Sequence, residues 1–442
     1  MKSVCLFFQV HQPFRHRHYR FFDIGNDHYY YDDYSNETIM RRIAEKCYLP
    51  TNQLLLKLTD QLEGKFKVAF SITGLALQQF ELYAPEVIES FKKLAKTGCV
   101  EFLSETYSHS LASLNDPEIF KKQVQLHDQL IFKLFGHHPR VFRNTEMIYS
   151  DEIGAQIADM GFQAMLTEGA KHVLGWKSPN FLYVNAINPR LKILMRNFKL
   201  SDDISFRFSN SNWSEYPLTT EKFVSWLEKL DQKEEVVNLF LSYESFGERQ
   251  PKESGIFAFL EHLPRKIIES PGLKFATPFE IVEEIQPISA VSVPHPISWA
   301  DEERDLTAWI GNAMQKEAFA KLNNLGKQME KCSDTTLNKD WNFLQGSDHF
   351  YYMSTKYFSN GEVHRSFNPF GSPYEAFINY MNVLSDFKIR LNSFVPESEV
   401  ENEIAALHKI IDDKEEKIKK MEAVLLRLQK GRKKGVSIEK KR

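Results

Sequence analysis

The feature that most constrains this fold is the alternation of short apolar runs with helical patterns along residues 3–268. Apolar runs of strand length occupy residues 3–10, 66–73, 99–103, 140–145, 163–166, 192–196 and 236–242. Helical patterns separate most of them, including residues 75–96, 117–135 and 256–268. This alternation predicts an α/β protein with a parallel sheet, and the number of strands indicates a (β/α)7-type barrel. An open, doubly wound sheet is the structural alternative.

Polar residues cluster immediately after several of the predicted strands, namely His11, Glu105, His109, Glu146, Glu168 and residues 242–250. In barrels, the C-terminal ends of the strands form the catalytic face. Two acids at such an edge, among histidines and aromatic residues, would suit glycoside hydrolysis, in which one acid attacks the anomeric carbon and the other protonates the leaving oxygen.

Composition limits the classes of partner. The chain has 442 residues and a net charge of −3, which gives no electrostatic reason to expect nucleic acid. Its 35 Phe and 17 Tyr either pack the core or line a groove on which sugars stack. Four cysteines lie far apart and are expected to be reduced. With no signal peptide pattern and no membrane-spanning run, a cytoplasmic protein is expected.

The sequence changes character beyond Pro294. Residues 305–331 and 373–394 have amphipathic helical patterns, joined by the aromatic-rich residues 347–353. This region predicts a second, helical domain. Within it, Asp348 and His349 either begin a solvated helix or reach the site from across the barrel mouth.

Apolar residues recur at heptad spacing from Val400 to Leu428, which predicts a coiled-coil-like helix. This helix either folds back on the helical domain or pairs with another chain, giving a homo-oligomer through residues 400–428. The predicted organisation is a barrel over 1–290, a helical domain over 295–395, a coiled-coil helix over 398–430 and a basic, disordered tail over 431–442.

Seven motifs carry a resemblance to a known family: His11–Pro13, Gly98–Glu101, Glu105–His109, Arg143–Glu146, Tyr243–Glu248, Leu306–Gln315 and Ser347–Tyr352. In this order, over about residues 1–395, the chain resembles the α-amylase branch of glycoside hydrolase family 57. The resemblance implies an incomplete seven-stranded barrel with a helical domain at its mouth. It also implies α-glucan substrates and a retaining mechanism that needs no metal or other cofactor.

The resemblance also implies roles for individual residues. Glu146 matches the position of the nucleophile. The positions that match residues around the bound sugar are His11, Glu101, His109, Asp348 and His349.

One departure from the family pattern concerns the proton donor. Ser242 stands where the family has an Asp. A serine hydroxyl is too weak an acid to protonate a departing sugar, so a general-acid contribution of ~10²- to 10⁴-fold should be lost. Glu244 faces the same side of an extended strand, about 6.6 Å further along. It either substitutes as the acid or holds the loop.

Three hypotheses follow for the function. The first is an α-amylase or 4-α-glucanotransferase acting slowly on α-1,4-glucans or maltooligosaccharides. The second is a non-catalytic α-glucan-binding or regulatory protein. The third is a metal-dependent sugar deacetylase or mannosidase-like enzyme that uses His11, His109 and nearby acids as ligands.

Overall fold

The structure is a computed structural model that describes residues 1–356 and 368–396, together with residues 407, 410, 411, 414, 415 and 417–421. Its strands are β1 Lys2–Val10, β2 Val68–Ile72, β3 Val100–Phe102, β4 Val141–Arg143, β5 Ala164–Glu168, β6 Tyr183–Asn185, β7 Lys192–Arg196, β8 Val236–Ser242, β9 Leu273–Phe275 and β10 Ser289–Val291.

Two five-stranded sheets form the centre of the molecule. One runs in the order β3-β2-β1-β8, with β9 also paired to β1, and the other in the order β10-β6-β7-β5-β4. Every strand pair is parallel except β6 with β7. The prediction of an α/β fold with parallel strands is therefore confirmed.

The two sheets are joined at both edges. A parallel bridge links Ser104, just after β3, to Phe142 of β4. At the other edge, the backbone N–H of Asn197 donates to the carbonyl of Asn238, 2.9 Å away. The strands therefore follow one another as β1, β2, β3, β4, β5, β7 and β8, paired by ladders of three to seven residues except at these two joints.

Helices cover the sheets. They are α1 Asp33–Ile43, α2 Leu49–Gln61, α3 Gly74–Tyr83, α4 Pro85–Ala95, α5 Pro117–Phe135, α6 Asp151–Asp159, α7 Lys171–Leu174, α8 Phe198–Asp202, α9 Thr220–Glu228, α10 Ile256–Glu269, α11 Pro278–Glu284, α12 Thr307–Ile310, α13 Ala313–Asn324, α14 Gly326–Met329, α15 Thr335–Leu344, α16 Ser347–Tyr352 and α17 Pro373–Phe394.

Two predicted helices are divided at residues that favour the N-terminus of a new helix. The pattern over residues 75–96 divides into α3 and α4 because Pro85 has no N–H to continue the first helix. The pattern over residues 305–331 divides into α12, α13 and α14. There the Asn312 side chain caps α13, and Gln315 completes a capping box.

The helices after β10 share a core with the second sheet. One apolar cluster contains Phe142 of β4 and Ile193 of β7 together with Trp309 of α12 and Tyr380 of α17. The helical region is thus packed directly against the strands whose C-terminal ends face it, which brings its own side chains to that edge.

The predicted coiled-coil helix over 398–430 falls mostly outside the described residues, and the predicted basic tail over 431–442 falls wholly outside them. Where described, Leu407, Ile411, Ile418 and Met421 are helical and between 50% and 59% exposed. Among the described residues, no helix has the length and apolar content required to cross a bilayer.

Candidate active site

A cavity of about 870 Å³, partly open to solvent, lies at the C-terminal ends of the strands. Gln9 of β1, Arg143 of β4, Arg196 of β7 and Ser242 of β8 all line it. Each is the last or next-to-last residue of its strand. Of the polar residues that follow the predicted strands, the cavity is lined by His11, His109, Glu146, Ser242, Glu244 and Arg249, but not by Glu105 or Glu168.

Glu146 occupies a strained turn directly after β4. It lies in a single 3-10 turn, Thr145–Met147, whose first residue is capped by the Asn144 side chain. Both Glu146 and Met147 have left-handed backbone conformations, with φ of 53° and 55°. Such strain in residues other than glycine costs about 1–3 kcal/mol each and persists where the surroundings over-determine it. Here it turns the Glu146 carboxylate into the cavity.

Three donors from three parts of the chain hold this carboxylate. The imidazole Nε2 of His109 lies 3.0 Å from Oε1, and the Ser347 hydroxyl donates to the same oxygen at 3.2 Å. The indole Nε1 of Trp299 donates to Oε2 at 2.5 Å. The backbone N–H of Trp299 also donates to the Glu146 carbonyl. These contacts fix the orientation of the Glu146 carboxylate. The residue is buried, with 4% of its surface exposed.

His109 supplies positive charge beside Glu146. Its Nδ1 lies 3.4 Å from Glu105 Oε2. Burial alone would lower the pKa of His109, but hydrogen bonds and charge interactions with Glu105 and Glu146 outweigh burial and raise the pKa to about 9. At neutral pH the ring is an imidazolium that donates to both carboxylates.

Glu105 completes a buried cluster beneath the cavity floor. Burial raises its pKa, but the His109 hydrogen bond and the nearby Arg143 charge leave the pKa below its ordinary value. The guanidinium Nη1 of Arg143 lies 3.8 Å from Glu105 Oε2. Two buried anions, Glu105 and Glu146, thus face two buried cations, His109 and Arg143, an arrangement that offsets the cost of burying each charge.

His11 links the first strand to the helical region. Its Nε2 lies 2.8 Å from Asp348 Oδ2, and its Nδ1 lies 3.0 Å from the Thr73 hydroxyl. The His11 ring also stacks on His109, with centroids 4.0 Å apart. Asp348 of α16 therefore reaches the cavity, as one of the two sequence interpretations required.

Ser242 and Glu244 form a pair on the cavity wall. The Ser242 hydroxyl donates to Glu244 Oε2 at 2.6 Å, and the Tyr48 hydroxyl donates to Oε1 at 2.5 Å. A single turn, Tyr243–Ser245, replaces the extended strand assumed from the sequence and brings Glu244 back over Ser242. Both residues line the cavity.

Two arginines, Arg143 and Arg249, line the same space. Within the described part of the chain, Nε and Nη1 of Arg143 and Nε of Arg249 are buried and have no hydrogen-bond partner. Burial lowers the pKa of Arg249, and the nearby carboxylates of Glu244 and Glu146 oppose that shift. Guanidinium groups at a cavity wall are donors suited to a ligand rich in hydroxyl groups.

Two residues expected at the site lie elsewhere, and their placement corrects the sequence interpretation. Glu101 lies within β3 and does not line the cavity. Its carboxylate accepts from the backbone N–H of Phe279 at the start of α11, and burial raises its pKa to about 7. His349 follows Asp348 but turns away on α16, stacking on His16, with its Nε2 3.0 Å from the Phe343 carbonyl.

Three site residues received no role from the sequence, although Ser347 lies in one of the matching motifs and Arg249 in the polar segment 242–250. Trp299 lies in the Pro-rich connection after β10, Ser347 immediately precedes Asp348, and Arg249 follows the Glu248 motif. A lone Trp between Pro296 and the helical region is a weak signal. None of the three belongs to a periodic pattern. The contacts of Trp299 and Ser347 with Glu146 join segments that are distant in sequence.

No group of three or more His, Cys, Asp or Glu side chains arranged to hold a metal ion occurs among the residues that the structure describes. His11 and His109, named in the metal hypothesis, pair with acids instead: His11 with Asp348, and His109 with Glu105 and Glu146.

Comparison with known proteins gives one family. The sequence pattern of "Glycosyl hydrolase family 57" matches residues 5–294. A protein of Methanocaldococcus jannaschii named "Putative alpha-amylase" is 40% identical over 405 residues, covering 89% of this chain and 85% of that protein.

Solved structures show the same fold at low identity. A branching enzyme of this family from Thermococcus kodakaraensis matches with a TM-score of 0.65 and 13% identity, over 91% of this chain and 94% of that one. An α-amylase from Thermotoga maritima matches with a TM-score of 0.56 and 14% identity, over 90% of this chain and 98% of that one.

Proposed function

Because the chain belongs to glycosyl hydrolase family 57, we propose that it acts on α-1,4-glucans through a covalent bond between Glu146 and the substrate. The observation that carries this proposal is the Glu146 carboxylate, held in the cavity by His109, Trp299 and Ser347. A nucleophile must be ionised and aimed, and these three donors support both.

The proposed reaction is a double displacement. A Glu146 oxygen bonds to the anomeric carbon as the bond to the leaving sugar oxygen breaks. Water or a sugar hydroxyl then attacks the same carbon and releases Glu146, so the configuration is retained. His109, protonated at neutral pH, stabilises the Glu146 carboxylate before the attack and after its release.

Several cavity features support a glucan as the substrate. Arg143 and Arg249 line the cavity with guanidinium groups, which can donate to sugar hydroxyls, and the rings of Trp299 and Phe206 provide apolar surface. A pyranose ring presents both kinds of surface. The relatives are named as an alpha-amylase and a branching enzyme, which supports the same substrate class.

Ser242 sets the proposed limit on rate. Hydrolysis of an unactivated glucan needs a proton on the leaving oxygen, and a serine hydroxyl by itself does not supply one. We therefore expect slow turnover of glucan and faster reaction of a donor whose leaving group needs no proton, such as α-glucosyl fluoride.

The nucleophile is tested by Glu146→Gln, with the exposed Glu283→Gln as the matched control. Glu146→Gln should lower fluoride release from α-glucosyl fluoride by roughly 10⁴-fold or more, whereas Glu283→Gln should not change it. Mass spectrometry of the wild type should show a glycosyl adduct on the peptide containing Glu146. Saturable glucan binding without reaction of either substrate would contradict the proposal and favour a binding protein.

A further inference from the structure

Ser242, at the position of the family's proton donor, is hydrogen-bonded to a second acid, Glu244. The Ser242 hydroxyl is partly exposed to the cavity and donates to Glu244 Oε2 at 2.6 Å. Glu244 itself is 4% exposed. Ser242 is therefore in direct hydrogen-bond contact with the Glu244 carboxylate, and both residues line the cavity.

Tyr48 fixes which oxygen of Glu244 faces Ser242. Its hydroxyl donates to Oε1 at 2.5 Å. The backbone carbonyl of Glu244 accepts from the N–H of Arg249, which closes the turn around the side chain. Oε2 is thereby directed at Ser242.

We propose that Ser242 relays protons between the substrate and Glu244, so that the two residues together replace one carboxylic acid. The inference rests on the proposed function of Glu146. A hydroxyl donates one hydrogen bond and accepts others, so a relay passes a proton without ionising the serine. In this relay Ser242 contacts the substrate, and Glu244 acts through Ser242.

The proton balance closes over one cycle. When an acceptor hydroxyl attacks, its oxygen bonds to the anomeric carbon and the bond to Glu146 breaks. The acceptor proton passes to Ser242 Oγ, and the proton of Ser242 passes to Glu244 Oε2. In the next attack by Glu146, Glu244 returns a proton to Ser242 Oγ, and the proton of Ser242 goes to the leaving sugar oxygen.

The first test compares Ser242→Ala and Glu244→Gln on maltooligosaccharide and on α-glucosyl fluoride. Each variant should lower maltooligosaccharide turnover by about 10- to 100-fold, a part of the full general-acid effect, and the double variant should be no slower than the slower single one, because both belong to one path. Fluoride release in the first turnover should fall by less than about tenfold, since fluoride leaves without a proton. Ser254→Ala, which removes a hydroxyl outside the cavity, is the control.

The second test changes the background. Ser242→Asp places a carboxyl directly at the cavity and should raise maltooligosaccharide turnover by at least about a hundredfold. In that background Glu244→Gln should cost less than about tenfold, because the relay is bypassed. A merely structural Glu244 would cost the same in both backgrounds.

Three outcomes would overturn the relay: unchanged maltooligosaccharide turnover in Ser242→Ala, an equal cost of Glu244→Gln in both backgrounds, or loss of first-turnover fluoride release in both single variants. These results leave the role of Glu146 standing. A wild-type protein inert toward both substrates overturns the proposed function and the relay together.

Discussion

His109 links the cavity carboxylate of Glu146 to the fully buried Glu105, and 2% of its own surface is exposed. Its pKa of about 9 makes it a cation over the whole neutral range. The ring therefore couples the charge state of the site to the stability of the fold.

The raised pKa of His109 predicts a pH dependence of stability. Its contribution is complete below the ordinary value of 6.5 and is lost as pH rises through about 9. The full effect is roughly 3 kcal/mol. Between pH 6 and pH 9.5, the free energy of unfolding should therefore fall more steeply in the wild type than in His109→Gln.

Urea unfolding at several pH values in this range measures that difference. The exposed His262→Gln serves as the control and should follow the wild type. Parallel curves for His109→Gln and the wild type would contradict the assignment of positive charge to His109.

Some residues of the site were accessible to sequence reasoning and others were not. Glu146, His11 and Asp348 lie in recognisable motifs, and the structure places all three at the cavity. Glu101 also lies in a motif but faces α11, because residues of one strand alternate in direction and a motif does not record which face is used. Trp299 gave little signal because its contact with Glu146 joins segments 153 residues apart.

At the scale of elements, the turn after β8 controls the acid side of the site. Gly247 lies between Glu244 and Arg249, with a φ of 107°. A Cβ at this position would meet the carbonyl oxygen of Lys46 at 2.0 Å. The turn can therefore approach the segment between α1 and α2 only with glycine here.

Gly247→Ala tests this close approach, and Gly255→Ala is the matched control. Both glycines have positive φ, but a Cβ at Gly255 would meet nothing within 4 Å. We expect Gly255→Ala to cost ~1 kcal/mol of unfolding free energy and Gly247→Ala to cost roughly 2 kcal/mol more.

Chemical denaturation gives both costs. Maltooligosaccharide turnover should also fall in Gly247→Ala, since Glu244 and Arg249 move with the turn. Equal destabilisation by the two variants would show that Lys46 yields easily and that the approach is not restrictive.

Elements were predictable to different degrees. All seven strands predicted from apolar runs are present, because a strand buried on both faces gives an unbroken signal. The strands β6, β9 and β10 were not predicted, although they are no shorter than β3 and β4. The break between α3 and α4 depends on Pro85, which a helical pattern tolerates at a first turn.

At the scale of the whole molecule, the exposed apolar residues near the C-terminus bear on association with another chain. Leu407, Ile411 and Ile418 are at least half exposed where the structure describes them. This exposure favours pairing with another chain over folding back, since apolar residues at heptad spacing are stabilised by burial.

A chain shortened to residues 1–396 tests this pairing. Light scattering should show that the full chain associates and that the shortened chain is monomeric. Maltooligosaccharide turnover per chain should change by less than about twofold, because all residues that line the cavity precede residue 350. A monomeric full chain, or association that survives the truncation, would contradict this prediction.

The His11–Asp348 pair joins positions 337 residues apart. During synthesis, His11 is made long before Asp348, which follows almost the entire barrel and much of the helical region. A prematurely terminated polypeptide consequently lacks the His11–Asp348 contact, and only a nearly finished chain can complete the cavity.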